Sequence, residues 1–249
     1  VITVQDFHKA YDQSVAVRGL NFHVEPGQIL GLIGPNGAGK TTTLRTLAGI
    51  IPPSRGRLAI GPYEIREAPL EAKRRLAYIP DDPQLFTDLT VAQHLAFAAA
   101  AYRVEDAPAR TARLLQDFQL ESKLHEAVSD LSRGMKQKLA VCAAYLHDPV
   151  AILFDEPLTG LDPRGIRALK ASICQRAQAG AAVIISSHLL AMVEDICTHV
   201  LILSEGTQRF FGPIADVGRE FATGSEAERV SLEEVFFRAT ELVDTSASH

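Results

Sequence analysis

Gly34-Pro35-Asn36-Gly37-Ala38-Gly39-Lys40-Thr41 is the stretch from which the rest of the chain can be read. It fits G-x-x-x-x-G-K-[ST], a loop that holds the phosphates of a nucleotide, ATP or GTP. Residues 30–33 before it are apolar and strand-like, and residues 42–48 after it read as a helix closed by Gly49. Glycines let the backbone curl so that successive N–H groups converge on phosphate oxygens at the positive end of the following helix. Lys40 is spaced to reach the β- and γ-phosphates, and the Thr41 hydroxyl to ligate Mg²⁺. The candidate phosphate-binding residues are thus Gly34, Pro35, Asn36, Gly37, Ala38, Gly39, Lys40, Thr41 and Thr42.

Outward from this loop, residues 1–8 and 20–24 alternate as strands, and the turn Glu25-Pro26-Gly27 leads into the strand before the loop. Residues 57–60 and 76–79 read as further strands, the second stopped by Pro80. Helices follow. Thr90 and Gln93 form a capping box that opens one running to about Tyr102, residues 107–118 carry helical periodicity, and Ser132 caps a third running to about His147. Strand character returns at 150–154, 181–186 and 200–203, with helices between, one of them starting at Asp162-Pro163. Such apolar runs alternating with helices predict parallel strands buried on both faces. Ser231 and Glu234 make a second capping box before a terminal helix, and the tail from Asp244 is polar. The expected fold is α/β, a P-loop core with a mainly parallel sheet, an N-terminal antiparallel β part and an inserted helical subdomain. Residues 1–84 and 149–230 form the nucleotide-binding core, 85–148 the helical subdomain, and 231–249 a C-terminal helix and tail.

Composition narrows the function. Of the 249 residues 47% are apolar, and the net charge of −5 argues against a broad nucleic-acid footprint. Cys142, Cys174 and Cys197 have no C-x-x-C spacing and sit in apolar, helix-like stretches, as expected of buried thiols in a reducing compartment. No run approaches the ~18 apolar residues of a membrane span, and no signal peptide opens at Val1. A cytoplasmic protein is expected.

A second motif sits downstream. Residues 151–154 form an apolar strand that ends in Asp155-Glu156. In a P-loop protein the first carboxylate can hold Mg²⁺ through water, and the second can take a proton from an attacking water. Between the two motifs, Leu131-Ser132-Arg133-Gly134-Met135-Lys136-Gln137-Lys138 opens a helix whose first turns are crowded with cations. The macrodipole disfavours cations there, so the segment makes sense if an anion docks on it. Alone, it reads equally as a Ser-capped surface helix with solvated lysines.

Taken together and in order, these motifs resemble those of the nucleotide-binding subunits of ATP-binding-cassette (ABC) transporters, over nearly the whole chain. Residues 34–41 match the Walker A loop, 131–135 a variant of the LSGGQ signature, and 151–156 Walker B. Thr159-Gly160-Leu161-Asp162 matches the D-loop, and Ser187-His188, after the strand containing Val183-Ile184-Ile185, the H-switch. The resemblance implies that two such domains pair head to tail, as a homodimer or with a paralogue, with each ATP held between the Walker A of one chain and the signature of the other. It implies that Ser132, Arg133, Gly134 and Met135 meet the γ-phosphate in trans. Glu156, His188 and Lys40 would be catalytic, Asp162 would communicate across the dimer, and Tyr11 would stack on adenine. ATP and Mg²⁺ are the implied cofactors. The implied partner is a separate transmembrane permease, with this chain peripheral on the cytoplasmic face of the membrane.

The chain departs from the family pattern in two places. Asp81 stands where the family usually has Gln, either adding charge beside the Mg²⁺ held by Thr41 and Asp155 or merely shaping a turn between Pro80 and Pro83. Arg133 and Met135 replace the first Gly and the Gln of the signature, while Ser132 and Gly134 remain, so hydrolysis is expected to survive. These variants resemble ABC-2-type exporters. Leu85, Phe86 and Leu89 are candidate permease contacts, or else core. The rival readings are a soluble ABC ATPase acting on nucleic acid or ribosomes, which this acidic single cassette does not favour, and a nucleotide-sensing regulatory module, which the intact Lys40, Asp155, Glu156 and His188 disfavour.

Overall fold

The N-terminus folds as a continuous hairpin. Strand β1 (Ile2–Tyr11) pairs antiparallel with β2 (Ser14–Val24), and Tyr11 opposes Ser14 across a tight turn. Within residues 14–19 Val17 is buried in the core while Ser14, Val15 and Arg18 are exposed, and pairing with β1 sets the strand. Strand β3 (Ile29–Ile33) leads into the 34–39 loop and helix α1 (Lys40–Leu47), which begins two residues earlier than its periodicity predicts. Strands β4 (Arg55–Ile60) and β5 (Tyr63–Glu64) complete an antiparallel sheet of order β2-β1-β4-β5. A short helix α2 (Pro69–Arg74) precedes β6 (Leu76–Ile79).

Three helices then run consecutively, α3 (Val91–Tyr102), α4 (Ala107–Phe118) and α5 (Arg133–Tyr145). The Thr90–Gln93 capping box closes in both directions, at 3.2 and 2.9 Å. Strand β7 (Ala151–Asp155), helix α6 (Pro163–Gln178), strand β8 (Ala182–Ser186), helix α7 (Leu190–Ile196) and strand β9 (His199–Ser204) follow. Strand β10 (Thr207–Pro213) folds back antiparallel on β9 through Glu205-Gly206, both at positive φ, as a two-residue hairpin turn requires. Helix α8 (Leu232–Glu241) is last. The computed structural model describes residues 1–218 and 231–241, and the polar tail expected from Asp244 lies outside them.

The second sheet has the order β10-β9-β3-β8-β7-β6, and its strands are parallel except β10. Strands β3, β7 and β8 are buried at every position. Their two-residue period sends alternate side chains into two different cores. Ile33, Phe154 and Ile185 pack with α3 to α8, whereas Leu32, Leu153 and Ile184 pack with α1 and the antiparallel sheet. Because neighbouring strands run parallel, the loops after β3, β6, β7 and β8 all emerge at one edge, where α/β sheets place their ligand sites.

Candidate functional site

The 34–39 loop is packed so tightly that only glycine fits at two of its positions. A Cβ on Gly34 would lie 2.4 Å from the Leu203 carbonyl oxygen, and one on Gly39, at φ +100°, 2.6 Å from that of Ala16. Lys40 is 9% exposed, and its Nζ donates to the Gly34 and Pro35 carbonyls at 2.6 and 3.1 Å. Burial pushes its ammonium below the ordinary lysine value, opposed by the negative charges of Glu156 and Asp155. Tyr11 lies half-exposed at the hairpin tip, with Lys9 Nζ 4.9 Å from its ring centre.

At the end of β7, Asp155 is 4% exposed and opposes Ser186 of β8 in register. Its Oδ1 accepts from Ser186 Oγ at 2.6 Å and from Thr41 Oγ1 at 3.2 Å. Its Oδ2 accepts from the Tyr78 hydroxyl at 3.3 Å. Glu156, the next residue, sits at φ +49°, a strained conformation for a non-glycine residue, and its N–H is held by the Ser186 carbonyl and hydroxyl at 3.1 and 3.2 Å. That twist turns its carboxylate toward the loop after β8, where His188 Nδ1 lies 2.8 Å from Oε2. Strand register thus brings Thr41, Asp155, Glu156 and His188 together from three separate loops.

Ser132 caps α5, its Oγ accepting from the Met135 N–H at 3.3 Å. Arg133, Gly134 and Met135 form the first turn. A Cβ on Gly134 would stand 2.7 Å from the Gly160 carbonyl, so α5 starts hard against the 159–162 segment. Asp162 in turn caps α6, accepting from the Gly165 N–H at 3.0 Å. Asp81 is engaged by Arg133, Nη2 to Oδ1 at 3.3 Å. Among the described residues no hydrogen bond joins Ser132–Met135 to the 34–42 loop. The motifs therefore make two surfaces, one built on the sheet edge and one on the start of α5.

The ABC transporter family profile matches residues 17–159. The chain belongs to the ABC transporter family. It is 35% identical over 223 residues to the ABC-type transporter ATP-binding protein EcsA of Bacillus subtilis (strain 168), spanning 89% of this chain and 90% of that protein. It is 32% identical over 235 residues to the Nod factor export ATP-binding protein I of Cupriavidus metallidurans (strain ATCC 43123 / DSM 2839 / NBRC 102507 / CH34), across 94% of this chain and 74% of that protein. A solved structure described as the ATP binding subunit of an ABC transporter superposes with a TM-score of 0.91 at 34% identity, covering 96% of this chain and 99% of that one. The chain is an ABC ATPase, hydrolysing ATP in the service of transport.

One contributor to this candidate site escapes sequence reasoning. Tyr78 lies in a four-residue strand, where no period marks it, and only the pairing of β6 with β7 brings its hydroxyl to Asp155. Burial, helped by the Asp155 charge and opposed by Arg45, pushes its phenol up to about 12, so it stays a proton donor. The site also fits Mg²⁺. Among the described residues no three His, Cys, Asp or Glu side chains form a metal cluster, but Thr41 Oγ1 and Asp155 supply two hard oxygen donors. Mg²⁺ is commonly bound by one or two such groups plus substrate phosphates and water. Among the described residues, no helix is long and apolar enough to cross a membrane.

Proposed function

We propose that this ABC ATPase is the motor of an exporter, closing head to tail with a second cassette around two Mg²⁺·ATP and driving a separate membrane permease from the cytoplasmic face. One observation carries the reading. Lys40, Thr41, Asp155, Glu156 and His188 converge at one sheet edge, while the Ser132–Met135 surface has no partner there. The first surface holds a nucleotide and lacks a second wall, and the other is a helix start that asks for an anion.

In this mechanism the 34–42 loop cradles the phosphates, and Lys40 exchanges the Gly34 and Pro35 carbonyls for β- and γ-oxygens. Thr41 and Asp155 would hold Mg²⁺, which would supply charge neutralisation at the phosphates. Glu156 takes a proton from water as the water oxygen bonds to the γ-phosphorus and the bond to ADP breaks. His188, already hydrogen-bonded to Glu156, orients that water. Ser132 Oγ, the Gly134 N–H, Arg133 and Met135 close on the γ-phosphate of the partner's ATP, and Asp162 links the two sites. Tyr11 stacks on adenine. Asp81, engaged by Arg133, would add its charge beside Mg²⁺ only if that ion pair opened.

The permease docks in a groove of about 370 Å³ along the edge strand β6, lined by Ile50, Tyr78, Pro83, Tyr102 and His147, with the exposed rings of Phe86 and Phe97 nearby. Helices between 85 and 148 act as the moving subdomain against the 1–84 and 149–230 core. The export sense is supported by the relative named as a Nod factor export protein.

The test combines hydrolysis with capture. The wild-type chain hydrolyses Mg²⁺·ATP, and Lys40→Ala lowers ATP affinity at least tenfold in a fluorescent-nucleotide titration. From detergent extract the chain brings down a multi-spanning membrane protein that stimulates its ATPase. Stimulation by nucleic acid with none from that membrane protein would overturn the proposal.

A further inference from the structure

We infer that Tyr78 is a positioning residue of this ATPase, fixing the Asp155 carboxylate in the orientation that receives Mg²⁺. The inference rests on the reading of Asp155 as the metal-side carboxylate. Asp155 has two oxygens with different surroundings. Oδ1 is shared by Ser186 and Thr41 on the side of the phosphate loop. Oδ2 faces the opposite strand, and the Tyr78 hydroxyl is its hydrogen-bond donor.

Without that donor the carboxylate, 4% exposed, would leave an oxygen unpaired and could turn about its Cβ–Cγ bond to satisfy it. With it, both oxygens are pinned and the plane of the group is set from two strands, β6 and β8, that flank β7. The position explains why a tyrosine stands in this short strand. Phenylalanine would supply the same apolar wall to the core and to the groove along β6, so the hydroxyl is what distinguishes the residue. Carboxylates that bind metals are themselves held by hydrogen bonds, and loss of such an outer partner typically costs about 10- to 100-fold in metal affinity.

The experiment uses the full chain loaded with a non-hydrolysable ATP analogue, with Mn²⁺ as the probe and electron paramagnetic resonance as the readout. In Tyr78→Phe the Mn²⁺ half-saturation concentration rises roughly tenfold. Analogue affinity measured in EDTA, and the melting temperature without metal, stay at wild-type values. A merely structural role would move those last two and leave the Mn²⁺ titration unchanged. Asp155→Asn run in parallel separates the two ideas. If Asp155→Asn weakens Mn²⁺ binding and Tyr78→Phe does not, Tyr78 is not a positioning residue. If neither variant shifts the titration, the metal reading of Asp155 itself is wrong and the inference goes with it.

Discussion

Asp81 and Arg133 are the two charged departures from the family pattern, and the fold brings them together. The pair is half-exposed, so it contributes at most about 1 kcal/mol to stability. Its interest is positional. Arg133 carries its guanidinium to the loop after β6 while its stem lies against Gly160, 3.0 Å from where a Cβ would sit. Asp81→Asn and Arg133→Gln should each change the steady-state ATPase rate, and the double variant should do no more than the stronger single one. The expected coupling is about 0.5 to 1 kcal/mol, or two- to fivefold in rate, from a double-mutant cycle. Additive effects would mean that the two side chains act separately.

At the level of elements, the packing of α3 and α5 near the β6 edge buries His94 and partly buries His147. His94 is 7% exposed with no partner on Nδ1 among the described residues. His147 points Nε2 at the Leu76 carbonyl at 3.2 Å and stacks on Tyr102 with ring centres 3.8 Å apart, its Nδ1 likewise unpaired among the described residues. Burial holds both below the ordinary histidine value of 6.5. The unfolded chain then binds more protons between each folded value and 6.5, so stability rises with pH through that window and falls as pH drops below 6.5. Each unit of depression contributes about 1.4 kcal/mol of acid sensitivity. The melting temperature of wild type should fall from pH 7.5 to 5.5, and the double variant His94→Gln/His147→Gln should fall less steeply. Parallel curves would place the acid sensitivity elsewhere.

For the whole molecule, the separation of the phosphate loop from the start of α5 matters most. If the proposed clamp is right, blocking hydrolysis stabilises the closed pair. Glu156→Gln keeps the nucleotide surface intact, removes the proton acceptor and is expected to lower turnover at least a hundredfold. With ATP it should run as a dimer by light scattering, whereas wild type returns to monomer as ATP is consumed. A Glu156→Gln chain that stays monomeric with ATP, alone and with its membrane partner, would defeat the clamp.

The sequence alone determined the phosphate loop, the apolar parallel strands and the capped helices, because each is a local pattern: glycine spacing, unbroken apolar runs, or a capping residue three positions from its partner. β5, α2 and β10 carry no such pattern, since their backbones are satisfied by a neighbouring strand or a tight turn and their exposed faces are free to be polar. Tyr78 beside Asp155, and Arg133 on Asp81, 52 positions apart, are products of tertiary structure. A hydrogen bond across strands depends on register and twist, which follow from how the two cores fill on either side of the sheet, and no local period records that.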